Sequence, residues 1–237
     1  MTIFAQAISI FQKMKRLFLI LFLFGTLSLQ AQHKPFQFGF RGGVNLGWFK
    51  TDNEFIKNES AQWGASWGFV ADFFLMENYS LSSGFNVLYL NGETKRDGLN
   101  IEDEGDIQIN GYIYTKIRSK YIQIPVIFTM KTNNIKDKIR IYGQIGYGLG
   151  ILLQSKMDVR IVSYDGELIA ESNGQEYEGL TATRSSLILG VGVEVPLHKS
   201  TYLRTGFTFD NCFIDVIKAD ELNMRNNFVE FNLSIIF

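Results

Sequence analysis

Few side chains in this chain could carry out catalysis. Its two histidines are His33 and His198, and Cys212 is its one cysteine. A Ser-His or Cys-His unit needs an imidazole beside the nucleophile, and a zinc site needs several His or Cys ligands. His33 lies beside a predicted cleavage point and His198 in a predicted short turn. The sequence therefore predicts a protein that is not an enzyme, with no assignable catalytic, cofactor or metal site.

Charged residues inside otherwise apolar or glycine-rich stretches are more informative than the histidines and the cysteine. A charge in a cramped interior persists only when it is paired and hydrogen-bonded, so we expect such residues to meet one another. We predict two internal ion-pair clusters, one of Arg140, Glu194 and Arg204 and the other of Arg41, Asp72 and Glu230. A polar plug that holds the fold together is favoured over a role in transport or catalysis.

Two acidic segments could in principle bind Ca²⁺ or bridge to lipopolysaccharide through divalent cations. Their acids are Glu93, Asp97, Glu102, Asp103, Glu104 and Asp106 in the first, and Asp158, Asp165, Glu167, Glu171, Glu176 and Glu178 in the second. Their spacing does not match a defined Ca²⁺ loop, so a solvated acidic surface is the favoured interpretation.

The elements that must position these residues are strands. Eight stretches alternate apolar with polar or glycine residues, at 36–48, 63–74, 79–90, 111–131, 139–154, 185–195, 201–210 and 227–237. In the last, Phe231 and Leu233 fall on one face while Glu230 and Asn232 fall on the other. One face suits lipid, and the other suits a narrow interior.

The links between these stretches alternate in length. Long links at 51–62, 91–110, 156–184 and 211–226 alternate with short ones at 76–78, 132–138 and 196–200, as in barrels with short periplasmic turns and long external loops. The sequence therefore predicts an all-β, eight-stranded antiparallel up-and-down transmembrane β-barrel. Such a lumen is filled by side chains. Asp165-Gly166 predicts a hairpin tip in the third long link, which would then stand above the membrane as a β-ribbon.

A secretory leader precedes the barrel. Met14-Lys15-Arg16 is a cationic start, residues 17–29 are apolar, and Ala31 offers a cleavage point. We predict a signal peptide over residues 1–31, with Met14 as a candidate true start, and a barrel domain over 32–237. The net charge of −1 becomes more acidic when the basic leader is removed, which argues against a nucleic-acid partner.

Two segments resemble a known family. Gly39-Phe40-Arg41-Gly42-Gly43-Val44-Asn45 and Tyr121-Ile122-Gln123-Ile124-Pro125-Val126 are similar to the PorT-like outer-membrane β-barrel ("porin family") proteins of the Bacteroidota. The resemblance implies an outer-membrane barrel and, by analogy, a link to type IX secretion. Gln123 stands where that family often has Glu. Pro125 cannot donate to a β-ladder, so we predict a bulge or broken pairing there; a partner-facing role for Tyr121 and Pro125 is the alternative.

The function predicted from these features is an envelope scaffold or accessory factor of the cell outer membrane that acts through its long external loops. Its expected partners are outer-membrane lipid, lipopolysaccharide and envelope or secretion proteins. Two alternatives stay open. One is a small-solute channel, and the other is a lipocalin-like barrel that binds an apolar ligand in its lumen.

Overall fold

The strands described below come from a computed structural model, which describes residues 35–52, 55–98, 111–135, 138–198, 200–217 and 223–237. The predicted signal peptide lies outside these residues. Nine strands follow one another: β1 (Phe36–Thr51), β2 (Ile56–Met76), β3 (Tyr79–Asp97), β4 (Gly111–Lys131), β5 (Arg140–Ser163), β6 (Leu168–Glu176), β7 (Thr183–His198), β8 (Thr201–Cys212) and β9 (Met224–Ile236). No helix in the described ranges has the length and hydrophobicity to cross a membrane.

Eight of the nine strands form a closed ring. Its order is β1-β2-β3-β4-β5-β7-β8-β9, and β9 pairs back onto β1, with Leu46 opposite Val229. Every pairing is antiparallel. β6 stands outside the ring, paired with the far half of β5. The predicted all-β, eight-stranded antiparallel barrel is confirmed, and the ninth strand belongs to the predicted ribbon. Gly166 closes its tip with a φ of 89°, a conformation that glycine adopts without strain.

The apolar set of each strand faces outward. Val44 is 51% exposed and Phe231 is 45% exposed, whereas Asn45 and Glu230 on the neighbouring positions are 0% and 1% exposed. Successive side chains of a strand point to opposite sides of the sheet, so the polar set lines the interior. This arrangement suits a barrel surrounded by hydrocarbon, and it places the interior charges where they need partners.

The two ends of the barrel differ. β1 begins and β9 ends at the end of the barrel where β2 connects to β3, β4 to β5 and β7 to β8, and there the Phe237 amide donates to the Phe38 carbonyl at 2.7 Å. We call this the short-turn end and the opposite one the long-loop end. At the long-loop end, β2 begins at Ile56 and β3 reaches Asp97, further than predicted, whereas the extension of β5 to Ser163 forms one strand of the predicted ribbon. The extensions of β2 and β3 are polar and lack a lipid-facing pattern, so alternation alone did not reveal them.

Pro125 lies inside β4 and interrupts one of its two ladders. It stays in register opposite Gly148 of β5. On the other side, the β3 pairing skips Gly84 and Phe85, and the Ser83 hydroxyl donates to the Pro125 carbonyl at 2.9 Å. The predicted broken pairing is therefore present on the β3 side. A register shift in β4 falls at Lys120 and Tyr121 on its β5 side.

Candidate functional site

Four charged side chains meet inside the barrel near the short-turn end. We call Asp72, Lys131, Glu194 and Arg204 the lower network. The Arg204 guanidinium donates to Glu194 at 2.8 and 3.0 Å and to Asp72 at 2.5 Å, and the Lys131 ammonium donates to Glu194 at 2.8 Å. Two cations thus balance two carboxylates, and the set is neutral. All four side chains are buried.

Sheet geometry explains how these four residues converge. Glu194 on β7 lies directly opposite Arg204 on β8, so the two side chains share the inner face. Asp72 on β2 lies across the lumen, and the length of Arg204 spans the gap. The Ser82 hydroxyl from β3 donates to Asp72 at 2.6 Å. Pairing and hydrogen bonding together compensate for the desolvation of these charges.

A second ion pair occupies the middle of the lumen. Arg41 on β1 donates to Glu230 on β9. Gly43 makes room for this pair, because a Cβ at that position would lie 2.8 Å from the Glu230 carboxyl carbon. A small cavity of about 10 Å³ adjoins it, with Ser66 and Asn86 among the lining residues. This cavity has room for about one water molecule, so side chains occupy most of the middle of the described lumen.

A third polar group lies toward the long-loop end. Arg184 donates to Asp210, to the Asn226 side chain at 2.8 Å and to the Ser186 hydroxyl at 3.1 Å. The Gln123 amide donates to Asp210 at 2.8 Å. We call Gln123, Arg184, Asp210 and Asn226 the upper network. Arg184 is 0% exposed, so its charge depends entirely on these partners.

An apolar cluster closes the long-loop end above the upper network. Its buried members come from β1, β4, β8, β9 and two long links: Phe49, Ile117, Leu180, Cys212, Val216, Ile217 and Met224. The links are tied together by hydrogen bonds from the Thr181 amide to the Val216 carbonyl and from the Val216 amide to the Met224 carbonyl, both 2.8 Å. Apolar packing therefore covers the mouth of the lumen at this end.

The predicted clusters differ from the observed ones in two residues. Glu194 contacts Arg204 and Arg41 contacts Glu230, but Asp72 joins Arg204 instead of Arg41. Arg140, although opposite Glu194 in the sheet, donates instead to the Asn134 side chain at 2.7 Å. Arg140 lies on the rim, where its long side chain can reach out to solvated partners.

Three charged residues of the lumen were absent from the predicted clusters: Lys131, Arg184 and Asp210. Lys131 is the last residue of β4 and Arg184 the second of β7, so each stood beside or inside a predicted link. Asp210 shares the inner face of its strand with Arg204. Lys131 and Asp210 are the last residues of the predicted stretches 111–131 and 201–210, where alternation places them on the inner face, and an extension of the stretch 185–195 by one residue would have added Arg184.

The two motif residues face the interior. Tyr121 is 0% exposed and packs with Leu88, Leu90 and Phe228. Pro125 is buried on the same face of β4. The alternative that they form a partner-facing surface is wrong, because neither side chain reaches the exterior.

The predicted acidic loops are partly strands. Glu93 and Asp97 belong to β3, Asp158 to β5, and Glu171 and Glu176 to β6. Residues 102–106 lie outside the described residues. In the described part of the chain, no three His, Cys, Asp or Glu side chains come close enough together to hold a metal ion.

Comparisons with known proteins found one family model and several similar solved structures. The family model "Outer membrane protein beta-barrel domain" matches residues 30–216. Neisserial surface protein A (NspA) is similar in structure, with 11% identity, a TM-score of 0.45, and coverage of 86% of this chain and 96% of that one. Ail of Yersinia pestis, in complex with sucrose octasulfate, has 13% identity, a TM-score of 0.37, and coverage of 86% and 100%. OprG of Pseudomonas aeruginosa has 13% identity, a TM-score of 0.35, and coverage of 86% and 97%.

No curated protein sequence matches the chain. The family model covers most of the barrel, and it agrees with the closed ring and the outward apolar face. The short-turn end is accordingly periplasmic and the long-loop end external. This chain belongs to the outer membrane protein beta-barrel domain family, and it resides in the outer membrane.

Proposed function

We propose that this protein is a non-enzymatic, non-conducting scaffold that binds an envelope or secretion protein through its external ribbon. The ribbon comprises residues 156–163 of β5 and all of β6. The observation that carries the proposal is the outer edge of β6, with which no other described strand pairs. An unpaired edge offers backbone donors and acceptors to an added strand.

The side chains of the ribbon support a role in protein binding. Leu168 and Ile169 are 56% and 55% exposed, although they stand in the part of the sheet that extends beyond the lipid-facing band. Tyr164 at the tip donates to Asp97 of β3 and contacts the Tyr112 ring edge-on, with ring centroids 5.0 Å apart. These contacts brace the ribbon against the barrel, so its free edge is presented in a fixed orientation.

The filled lumen argues for this role over that of a small-solute channel. The lower network, the Arg41–Glu230 pair and the upper network follow one another along the barrel, and the apolar cluster covers its external end. The polar interior also argues against a lipocalin-like ligand site, which needs an apolar lumen. Planar-bilayer recording of the purified barrel should show no stable conductance, and reproducible unitary steps would contradict the proposal.

Site-specific photo-crosslinking in intact cells tests the partner. A photoreactive residue at Ile169 should give an adduct with an envelope protein, whereas the same residue at Val191, which is exposed on the lipid-facing wall, should give none. Replacing residues 159–172 with a short Gly-Ser turn should abolish the adduct while the barrel still shows its heat-modifiable gel shift. The type IX link, which rests on family resemblance, predicts that this deletion also impairs protein secretion. Absence of any adduct along β6, together with unchanged secretion, would refute the proposal.

A further inference from the structure

The outward face of β4 changes character abruptly at one level. Its lipid-facing positions, counted from the periplasmic end, are Met130, Phe128, Val126, Ile124 and Ile122. The next outward positions are Lys120, Arg118 and Lys116. The five apolar positions span about 27 Å along the strand, and strand tilt reduces this to about 20 Å across the membrane, close to the ~25 Å apolar band of such barrels. Lys120 is therefore the first side chain above the external rim of the lipid-facing band.

A β-bulge in β5 adds a third cation at this level. On the periplasmic side of this bulge, Ile151 lies opposite Ile122 and faces outward. The register shift at Leu153 then brings Gln154 opposite Lys120 and Lys156 opposite Arg118. A bulge inserts one residue and re-aims the side chains that follow, so Lys156 shares the outward face with Lys120 and Arg118. We call Arg118, Lys120 and Lys156 the basic ladder.

The surroundings of the ladder favour an anion at its lower end. Lys120 is flanked by Tyr89 on β3 and Gln154 on β5, neither of which is acidic, and its ammonium lies 5.3 Å from the centre of the Tyr89 ring. Acids flank the ladder higher up: Asp158 accepts a hydrogen bond from Arg118 at 2.6 Å, and Glu176 lies opposite Lys156. Lys120, at the rim of the lipid-facing band, is thus the ladder cation whose two strand partners include no acid.

An open cleft of about 450 Å³ adjoins the ladder. Its lining residues are Lys120, Leu152, Leu153, Gln154, Ser155, Glu176 and Glu178. Leu153 is 50% exposed directly beside the lipid-facing Ile151. The cleft therefore has a cationic group next to an apolar surface that continues into the membrane, a combination that matches a phosphorylated headgroup attached to acyl chains.

We infer that the basic ladder binds a phosphate group of lipid A in the outer leaflet. Arg118, Lys120 and Lys156 contact the phosphate, and the adjoining acyl chains pack against Ile122, Ile151 and Leu153. Lys120 and Arg118 stand two residues apart on one strand, a spacing of about 7 Å, so one phosphate can contact both cations. This site lies on the barrel wall and does not depend on a protein partner at the ribbon edge.

Native mass spectrometry of the full barrel in detergent tests the inference with three probes. These are bisphosphorylated lipid A, lipid A without phosphates, and phosphatidylglycerol. We expect bisphosphorylated lipid A to bind best. Substituting all three ladder cations with glutamine should weaken its binding about a hundredfold, or about fivefold for each cation removed. Lys50→Gln, which removes an exposed lysine near the external end of β1, should leave binding unchanged.

Two further variants separate binding from folding. Lys120→Arg keeps the charge and should retain binding, whereas Lys120→Gln should lose about fivefold. Both must show the heat-modifiable gel shift of the folded barrel. Equal binding of phosphate-free lipid A would overturn the inference, because it would assign the interaction to the acyl chains. Equal binding of phosphatidylglycerol, or unchanged binding by the folded triple variant, would overturn it as well.

Discussion

Replacing Arg204 with methionine tests whether the lower network stabilises the barrel. Methionine keeps much of the length of arginine but removes three charged hydrogen bonds, at 2.5, 2.8 and 3.0 Å, from two buried carboxylates. Lys131 is then the one cation of the network, facing Asp72 and Glu194 together. Breaking a buried ion pair by removing one partner costs about 3–5 kcal/mol, so Arg204→Met should lower the free energy of unfolding by that amount.

Urea unfolding in lipid vesicles, followed by tryptophan fluorescence, measures this change. Trp48, Trp63 and Trp67 lie on β1 and β2 and report on closure of the ring. Arg118→Met is the matched control, because the Arg118–Asp158 pair is exposed and its loss should cost less than about 1 kcal/mol.

A double variant adds a test of the charge argument itself. Arg204→Met with Asp72→Asn leaves one cation, Lys131, and one carboxylate, Glu194, so the network is neutral again. This variant should be more stable than Arg204→Met alone, even though it carries two substitutions. A loss below about 1 kcal/mol for Arg204→Met, or a double variant less stable than the single one, would refute the reasoning.

Two other predictions concern the wall and the ribbon. Phe231→Arg places a charge on the lipid-facing wall and should cost about 2–4 kcal/mol in vesicle unfolding, whereas Gln154→Arg above the lipid-facing band should cost about 0–1 kcal/mol; equal losses would contradict the assigned membrane level. The hydrogen bond to Asp97 raises the pKa of Tyr164 to about 12. The contribution of this hydrogen bond to stability is therefore complete below pH 10 and is lost as the pH rises through 12. Asp97→Asn should lower the Tyr164 pKa, as measured by alkaline absorbance titration against Tyr164→Phe, and an unchanged titration would contradict this contact.

The barrel could be predicted because the alternation of apolar and polar residues that specifies it is visible within each strand. Phe231 and Leu233 alternate with Glu230 and Asn232, and a period of two assigns each residue to a face whatever its neighbours are. The ribbon was visible for the same reason, since Asp165-Gly166 is a local turn signal. The extensions of β2 and β3 beyond the membrane were missed, because they need neither an apolar face nor a strict alternation.

The internal contacts could be predicted only in part. Sequence order makes β7 and β8 neighbours, which explains the contact of Glu194 with Arg204, and ring closure makes β1 and β9 neighbours, which explains the contact of Arg41 with Glu230. Contacts across the lumen depend on strand tilt and on the register around the ring, which no single strand encodes. Asp72 and Arg204 are 132 residues apart and belong to strands that are not neighbours, so their contact emerges only from the closed barrel.

Because β6 lies outside the ring, the residues that close the barrel are separate from those of the exposed ribbon tip. Closure depends on the eight ring strands, and β6 pairs with β5 alone among them. Peptides inserted at this tip should leave assembly intact and be displayed on the cell surface. The same independence allows the tip to change in length and sequence without any change to the membrane-embedded wall.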